Sequence, residues 1–262
     1  MQTSVSSLYD RLHLSHDLEK VRDIILREAN GNYAFINEAL SDFIRADGKL
    51  LRPAFLLIAS RMGESAEEED EDEEEAEVDS GREGEKALNL AAAVELLHMA
   101  TLVHDDIIDR SSARRGRATL NAQYGDKKAV LLGDYLFSRS FYLASRNTDM
   151  QVGGFAARLI GSVCESEIRQ NEGQLDFSIG FREYHRRIMG KTAALFAVST
   201  YMGANVASVD ERHAERLKKI GFNLGVAFQI VDDILDCDVT EGDTGKNAGT
   251  DIREGVVNLP IL

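Results

Sequence analysis

The sequence predicts an all-α protein, one helical bundle in a single domain. Three observations carry this. Only two prolines occur in 262 residues, Pro53 and Pro260, and Ala, Leu and Glu are abundant, a composition that favours helix. Apolar residues recur at helical spacing through most of the chain. The connections between these stretches are short and polar, and no alternating strand pattern competes with them.

Residues 4 to 45 open the bundle, with Val21, Ile24 and Ile25 and then Phe35, Ile36, Leu40 and Phe43 at helical spacing. Asn30-Gly31-Asn32 marks a turn between the two runs. In GKLLRPAFLLIASRMG, Pro53 suits the first turn of a helix, where its missing N–H costs nothing. The stretch from Glu64 to Glu85 holds 14 acids and one base. Such a run repels itself and buries little, so it reads as a solvated loop.

From Lys86 to Arg110 a long apolar helix is expected, followed by the basic loop SSARRGRATLNAQYG. Further helices are expected from about Asp126 to Arg146, 151 to 176 and 181 to 203. Ser208-Val-Asp-Glu211 reads as a capping box opening a helix that runs to Asp236. A Gly-rich loop begins the last segment, TEGDTGKNAGTDIREGVVNLPIL.

The formal charge of −15 argues against a nucleic-acid partner, but the Glu64–Glu85 stretch accounts for −13 of it. The remainder is close to neutral, so the acidity says little about any active surface. Cys164 and Cys237 follow no metal or redox spacing and lie among apolar residues, as buried free thiols of a reducing cytosol do. The N-terminus lacks a basic start followed by an apolar run, so it is no signal peptide. No segment reads as apolar for long enough to span a bilayer. A cytoplasmic protein is expected, with transient membrane-surface contact left open.

The chemistry is written twice. Asp105-Asp106-Ile-Ile-Asp109 ends one apolar helix and Asp232-Asp233-Ile-Leu-Asp236 ends another. Positions i and i+4 share a helix face, so each motif presents two carboxylates side by side. Acids so placed repel one another and resist desolvation unless a positive group offsets them. Oxygen-only ligands favour a hard cation, and magnesium is usually held by a few carboxylates plus substrate phosphates. A solvated helix end explains one such motif. Two copies, each preceded by apolar helix and followed by a polar loop, point instead to facing helices that clamp a diphosphate through bridging metals. Basic residues suited to diphosphate oxygens sit at helix edges and in loops: Lys49, Arg52, Arg114, Arg115, Lys191 and Lys246. His98 lies two helical turns before Asp105 on the same face. A hydrogen-bonded core histidine is the plainer account of His98 alone.

GKLLRP, ELLHMATLVHDDIIDRSSARRGRAT, GKTAALF, FQIVDDILD, TGKNAGTDI and NLP, in that order, resemble the motif set of trans-prenyltransferases. The likeness spans about Gly48 to Leu262 and is strongest to long-chain polyprenyl diphosphate synthases. It implies an isoprenoid-synthase bundle around a deep apolar cavity. It further implies that Lys49, Arg52, His98 and Arg115 hold isopentenyl diphosphate. Arg114, Lys191, Thr192 and Gln229 would hold the allylic diphosphate. Asp105, Asp109 and Asp232 would hold two or three magnesium ions. Asp106, Asp233 and Asp236 would help indirectly, and Lys246 would close over the phosphates. Met99, Ala100 and Thr101, just below the first motif, would form a floor without an aromatic ring, open to a long product of about heptaprenyl length.

The resemblance also implies further helices after the Leu259-Pro260 dipeptide, so the sequence reads as missing a C-terminal helical part. Val256 stands where many relatives carry lysine. The implied assembly is a homodimer, or a heterodimer with a small regulatory subunit. Three alternatives stay open. A non-catalytic subunit would normally lack an aspartate motif. A terpene cyclase or head-to-head condensing enzyme would lack the second basic set. A short-chain farnesyl or geranylgeranyl diphosphate synthase differs only in product length.

Overall fold

Helices account for nearly all regular structure in a computed structural model of the protein, which describes residues 5–45, 48–63, 73–114, 116–173, 175–176, 178–237 and 257–262. In chain order they are α1 (Val5–Arg11), α2 (Ser15–Ala29), α3 (Ala34–Arg45), α4 (Leu51–Ser60), α5 (Glu73–Ile108), α6 (Leu120–Tyr124), α7 (Asp126–Ser145), α8 (Met150–Glu172), α9 (Phe181–Ile188), α10 (Ala194–Val206) and α11 (Glu211–Cys237). A π-helical turn, Met189–Ala193, joins α9 to α10. The sequence gives no sign of one further element, a two-stranded hairpin of β1 (Ala113–Arg114) and β2 (Arg117–Ala118), which pairs Ala113 with Ala118 and Arg114 with Arg117.

The central member is α5. Its residues Ala87, Leu90 to Leu97, Met99, Ala100 and Val103 are buried, with Glu95 among them. A helix apolar on all sides must lie inside, and α2, α4, α7 and α10 pack around this one. By length and composition alone Gly81–Ile108 is apolar enough to cross a membrane, contrary to the sequence expectation, but 67% of its most apolar stretch is buried in the fold. α10 is the second inner helix, buried continuously from Ala194 to Thr200 and clasped between α4 and α11.

The acidic segment departs from expectation. From Glu73 onward it is not a loop but the first turns of α5. Glutamate is a good helix former. Adding turns to a helix already nucleated by its buried half is cheap, and acids near a helix N-terminus match its dipole. Residues 64–72 lie outside the described residues.

The start of α11 also differs. Ser208 sits at φ 51°, a left-handed turn, and Asp210 does the capping, accepting the His213 N–H at 3.0 Å. Cys164, expected to be buried, is exposed on α8. The Cys237 side chain lies outside the described residues.

Candidate functional site

Asp105 lies in the last turn of α5 and Asp109 just past its end, where its N–H still bonds the Asp105 carbonyl at 2.8 Å, so the two stand one turn apart on the same face. Opposite them stand Lys191, on the π-helical turn, and Glu167, on α8. The Lys191 ammonium meets Glu167 at 3.0 Å. A π-helical turn adds a residue to the helix and re-aims the side chains beyond it. Here it occurs at Lys191 and Thr192.

The electrostatics are unbalanced towards negative charge. Burial, helped by Glu167 and Asp109 and opposed by Lys191 and Arg114, pushes the Asp105 carboxyl up to about 6. Burial raises Asp109 as well. Burial alone would lower Lys191, but Asp105, Glu167 and Asp109 together hold it above its ordinary value. Three carboxylates thus face one ammonium, with Arg114 acting from the edge.

The second aspartate of each motif is engaged by the protein itself. Asp106 is buried and accepts the Arg114 Nε–H at 2.9 Å. Its backbone carbonyl takes the Asn121 amide at 3.2 Å. Asp233, 5% exposed, accepts the Tyr184 hydroxyl at 2.7 Å and the Gln229 amide at 2.8 Å. The Thr192 hydroxyl donates in turn to Gln229 Oε1 at 2.5 Å. This chain of contacts joins α9, the π-helical turn and α11. It needs close helices, and Gly225 permits that: a Cβ there would overlap the backbone of Ala193. Asp232, the neighbour of Asp233, is half-buried.

At the N-terminus of α4, Lys49 is exposed and Arg52 half-buried. Leu50 between them adopts a left-handed conformation, φ 48° and ψ 37°. The Tyr9 hydroxyl of α1 donates to the Lys49 carbonyl. Arg52 lies over the Phe196 ring, 5.1 Å from its centroid, against α10. On α5, His98 is half-buried, and its carbonyl accepts the Thr101 hydroxyl at 2.8 Å. Met99 and Ala100 are fully buried, whereas Thr101 is half-buried on the turn below Asp105.

The structure therefore gathers Asp105, Asp109, Lys191 and Arg114, and separately Thr192, Gln229 and Asp233. Arg115, Lys246 and the Asp236 side chain lie outside the described residues, as does Val256. Sequence reasoning missed Glu167 and Tyr184. Nothing near Glu167 in CESEIRQ marks it out, although Tyr184 stands seven residues before Lys191, two helical turns away.

The residues present suit a hard divalent cation. Asp105 and Asp109 are oxygen ligands in an i, i+4 pair whose burial is unrelieved by any hydrogen-bond donor among the described residues. Among those residues no set of three ligands is already assembled.

Comparison with known proteins agrees with this chemistry. The polyprenyl synthetase family model matches residues 33–262. Component 2 of heptaprenyl diphosphate synthase from Geobacillus stearothermophilus is 38% identical over 249 residues, covering 95% of this chain and 72% of that protein. The heptaprenyl diphosphate synthase of Staphylococcus aureus superposes with a TM-score of 0.84 at 32% identity, over 94% of this chain and 73% of that one. A polyprenyl synthase from Caulobacter crescentus CB15, crystallised with calcium and isoprenyl diphosphate, gives 0.84 at 35% identity, over 98% and 73%. With the motifs in order, the all-α fold in common and the carboxylate pair in place, the chain belongs to the polyprenyl synthetase family and is a trans-polyprenyl diphosphate synthase.

Proposed function

We propose that the protein adds isopentenyl diphosphate units to an allylic diphosphate, with magnesium, to make a long-chain all-trans product of about heptaprenyl length. The observation that carries the reading is the Asp105–Asp109 pair: two half-buried carboxylates, held one turn apart and disfavoured in their charged form by desolvation, opposite Lys191. The relatives named as heptaprenyl diphosphate synthases support the length.

Bound magnesium would supply charge neutralisation to the departing diphosphate. Asp105 and Asp109 would hold it from the end of α5 and Asp232 from α11, with Asp236 helping indirectly. Asp106 and Asp233 act behind them, as the anchors that fix each motif to its neighbours. The Lys191 ammonium and the Arg114 guanidinium meet the allylic diphosphate oxygens as its C–O bond breaks, stabilising negative charge where it develops. Thr192 and Gln229 complete that side. Lys49, Arg52, His98 and Arg115 orient isopentenyl diphosphate so that its double bond attacks the allylic carbon. The departed diphosphate takes the proton then lost, so no side-chain base is needed. Lys246 closes over the phosphates. The buried stretch Ala194–Thr200 and the apolar face of α5 keep water from the cation.

Met99, Ala100 and Thr101 carry no aromatic ring and leave the product room to lengthen. The chain works as a homodimer or with a small regulatory subunit. It resides in the cytoplasm and touches the membrane surface to release its product. The test is to incubate the purified protein with farnesyl and isopentenyl diphosphates and magnesium, then chromatograph the dephosphorylated products. Main products of about 35 carbons are expected. A product that stops at farnesyl or geranylgeranyl overturns the length, and no condensation at all overturns the reading.

A further inference from the structure

Glu167 has no part in the mechanism above, yet it faces the catalytic carboxylates. Its position is built. One residue earlier on each element, Ser166 and Gly190 touch so closely that a Cβ on Gly190 would overlap the serine hydroxyl. That contact sets α8 against the π-helical turn and brings Glu167 level with Lys191. The pair is 3.0 Å apart, with the glutamate side chain 18% and the lysine side chain 30% exposed.

Lys191 has a choice of anions. Its charge is felt by Asp105 and Asp109 as well as by Glu167. Its one ion pair within 4.0 Å among the described residues is with Glu167. A lysine ammonium is a mobile point charge on a four-carbon stem. If the glutamate were neutral, the ammonium would be drawn to the first-motif carboxylates, whose charge already acts on it. There it would occupy the oxygens that a metal needs.

We propose that Glu167 is a positioning residue that holds the Lys191 ammonium off the Asp105–Asp109 pair and so keeps that pair open to a divalent cation. This rests on the reading that the pair receives the cation. It assigns to α8 a role before substrate arrives, distinct from the role of Lys191 on the diphosphate.

The experiment measures binding of Mn²⁺ to the substrate-free protein, following free Mn²⁺ by electron paramagnetic resonance. Glu167→Gln is expected to weaken binding by about tenfold, within the range for residues that share one network. In a Lys191→Met background the same Glu167→Gln change is expected to have no effect beyond about twofold, because the competing ammonium is gone. Glu167→Asp, which keeps the charge and the fold, should stay near the parent. Equal losses in the two backgrounds would mean simple loss of negative charge and would overturn the proposal. So would unchanged binding in Glu167→Gln alone. Asp105→Ala is run alongside: if it leaves Mn²⁺ affinity unaltered, the metal assignment itself fails and takes this proposal with it.

Discussion

Arg114 donates its Nε–H to Asp106 across 2.9 Å, tying the β1–β2 hairpin to the last turn of α5. The sequence resemblance makes Arg114 a diphosphate donor and Asp106 an indirect helper of the metal site. In the fold they also hold each other through the Arg114 Nε–H, while Asp105, one position earlier, faces Lys191 and Glu167. Asp106→Ala should therefore behave unlike Asp105→Ala. A hydrogen bond to a charged partner is worth about 1.5–3 kcal/mol, and Arg114 is 35% exposed, which favours the lower end. The variant should melt a few degrees lower, at about 2–4 °C per kcal/mol for a protein of this size. It should keep measurable turnover. Calorimetry and a single-condensation assay check both.

Asp105→Ala and Asp232→Ala should nearly abolish turnover while circular dichroism stays unchanged. Neither side chain is needed to hold its helix together, since the buried neighbours Asp106 and Asp233 do that. Near-parental rates in both variants would falsify the metal assignment.

The two substrates should separate kinetically. Lys49→Ala or Arg52→Ala should raise the KM for isopentenyl diphosphate by about 10- to 150-fold, the range for one charge-assisted hydrogen bond, and leave the allylic KM nearly unchanged. Lys191→Ala should do the reverse. Steady-state kinetics with each substrate varied in turn decides the matter, and equal shifts on both substrates would dissolve the division into two sites.

Stability should depend on pH through Asp105. Its folded-state carboxyl titrates at about 6, above the ordinary 3.8, because of burial. Between those values the folded state binds the proton that the unfolded state has lost. Stability is thus fully present below the lower value and falls as pH rises through the higher one. In a metal-free buffer, Asp105→Asn should remove this fall. It should match the parent near pH 4 and melt higher than the parent at pH 7. Added magnesium should raise the melting temperature of the parent at pH 7 but not that of the variant. Thermal melts at both pH values, with and without magnesium, read the outcome.

Product length should respond to Ala100, which is fully buried one turn below the motif. Ala100→Phe overpacks that site and should shorten the main product while the first condensation persists. Chromatography of the products of both proteins tests this, and an unaltered long product would place the floor elsewhere.

Much of this architecture is legible from residues alone. The long inner helix α5 announces itself because the thirteen residues from Ala87 to Met99 are apolar apart from Asn89, Glu95 and His98, and such a run must be kept from water. The doubled aspartate pattern fixes which helix ends matter. What the sequence hides is division of labour. Asp105 and Asp106 are chemically identical, and only packing sends one to the site and the other to Arg114. Glu167 was invisible for a related reason. Its meaning comes from Gly190 meeting Ser166, a contact between residues 24 positions apart that no local pattern encodes. The acidic stretch misled because charge density was read as a property of the segment alone, whereas its second half extends a helix already paid for by the buried part of α5.

The hydrogen bond from Tyr9 to the Lys49 carbonyl has a practical side. It makes α1 a structural neighbour of the residue that would grip isopentenyl diphosphate. Burial and the charge of Glu95 push the Tyr9 phenol up to about 12, so the contact stays protonated at any working pH. An affinity tag fused just ahead of Val5, or a protease nick within α1, would act on the α4 loop although it is far away along the chain. Activity lost in such a preparation would then look like a weakened substrate when the cause is a disturbed α1, and moving the tag would restore it.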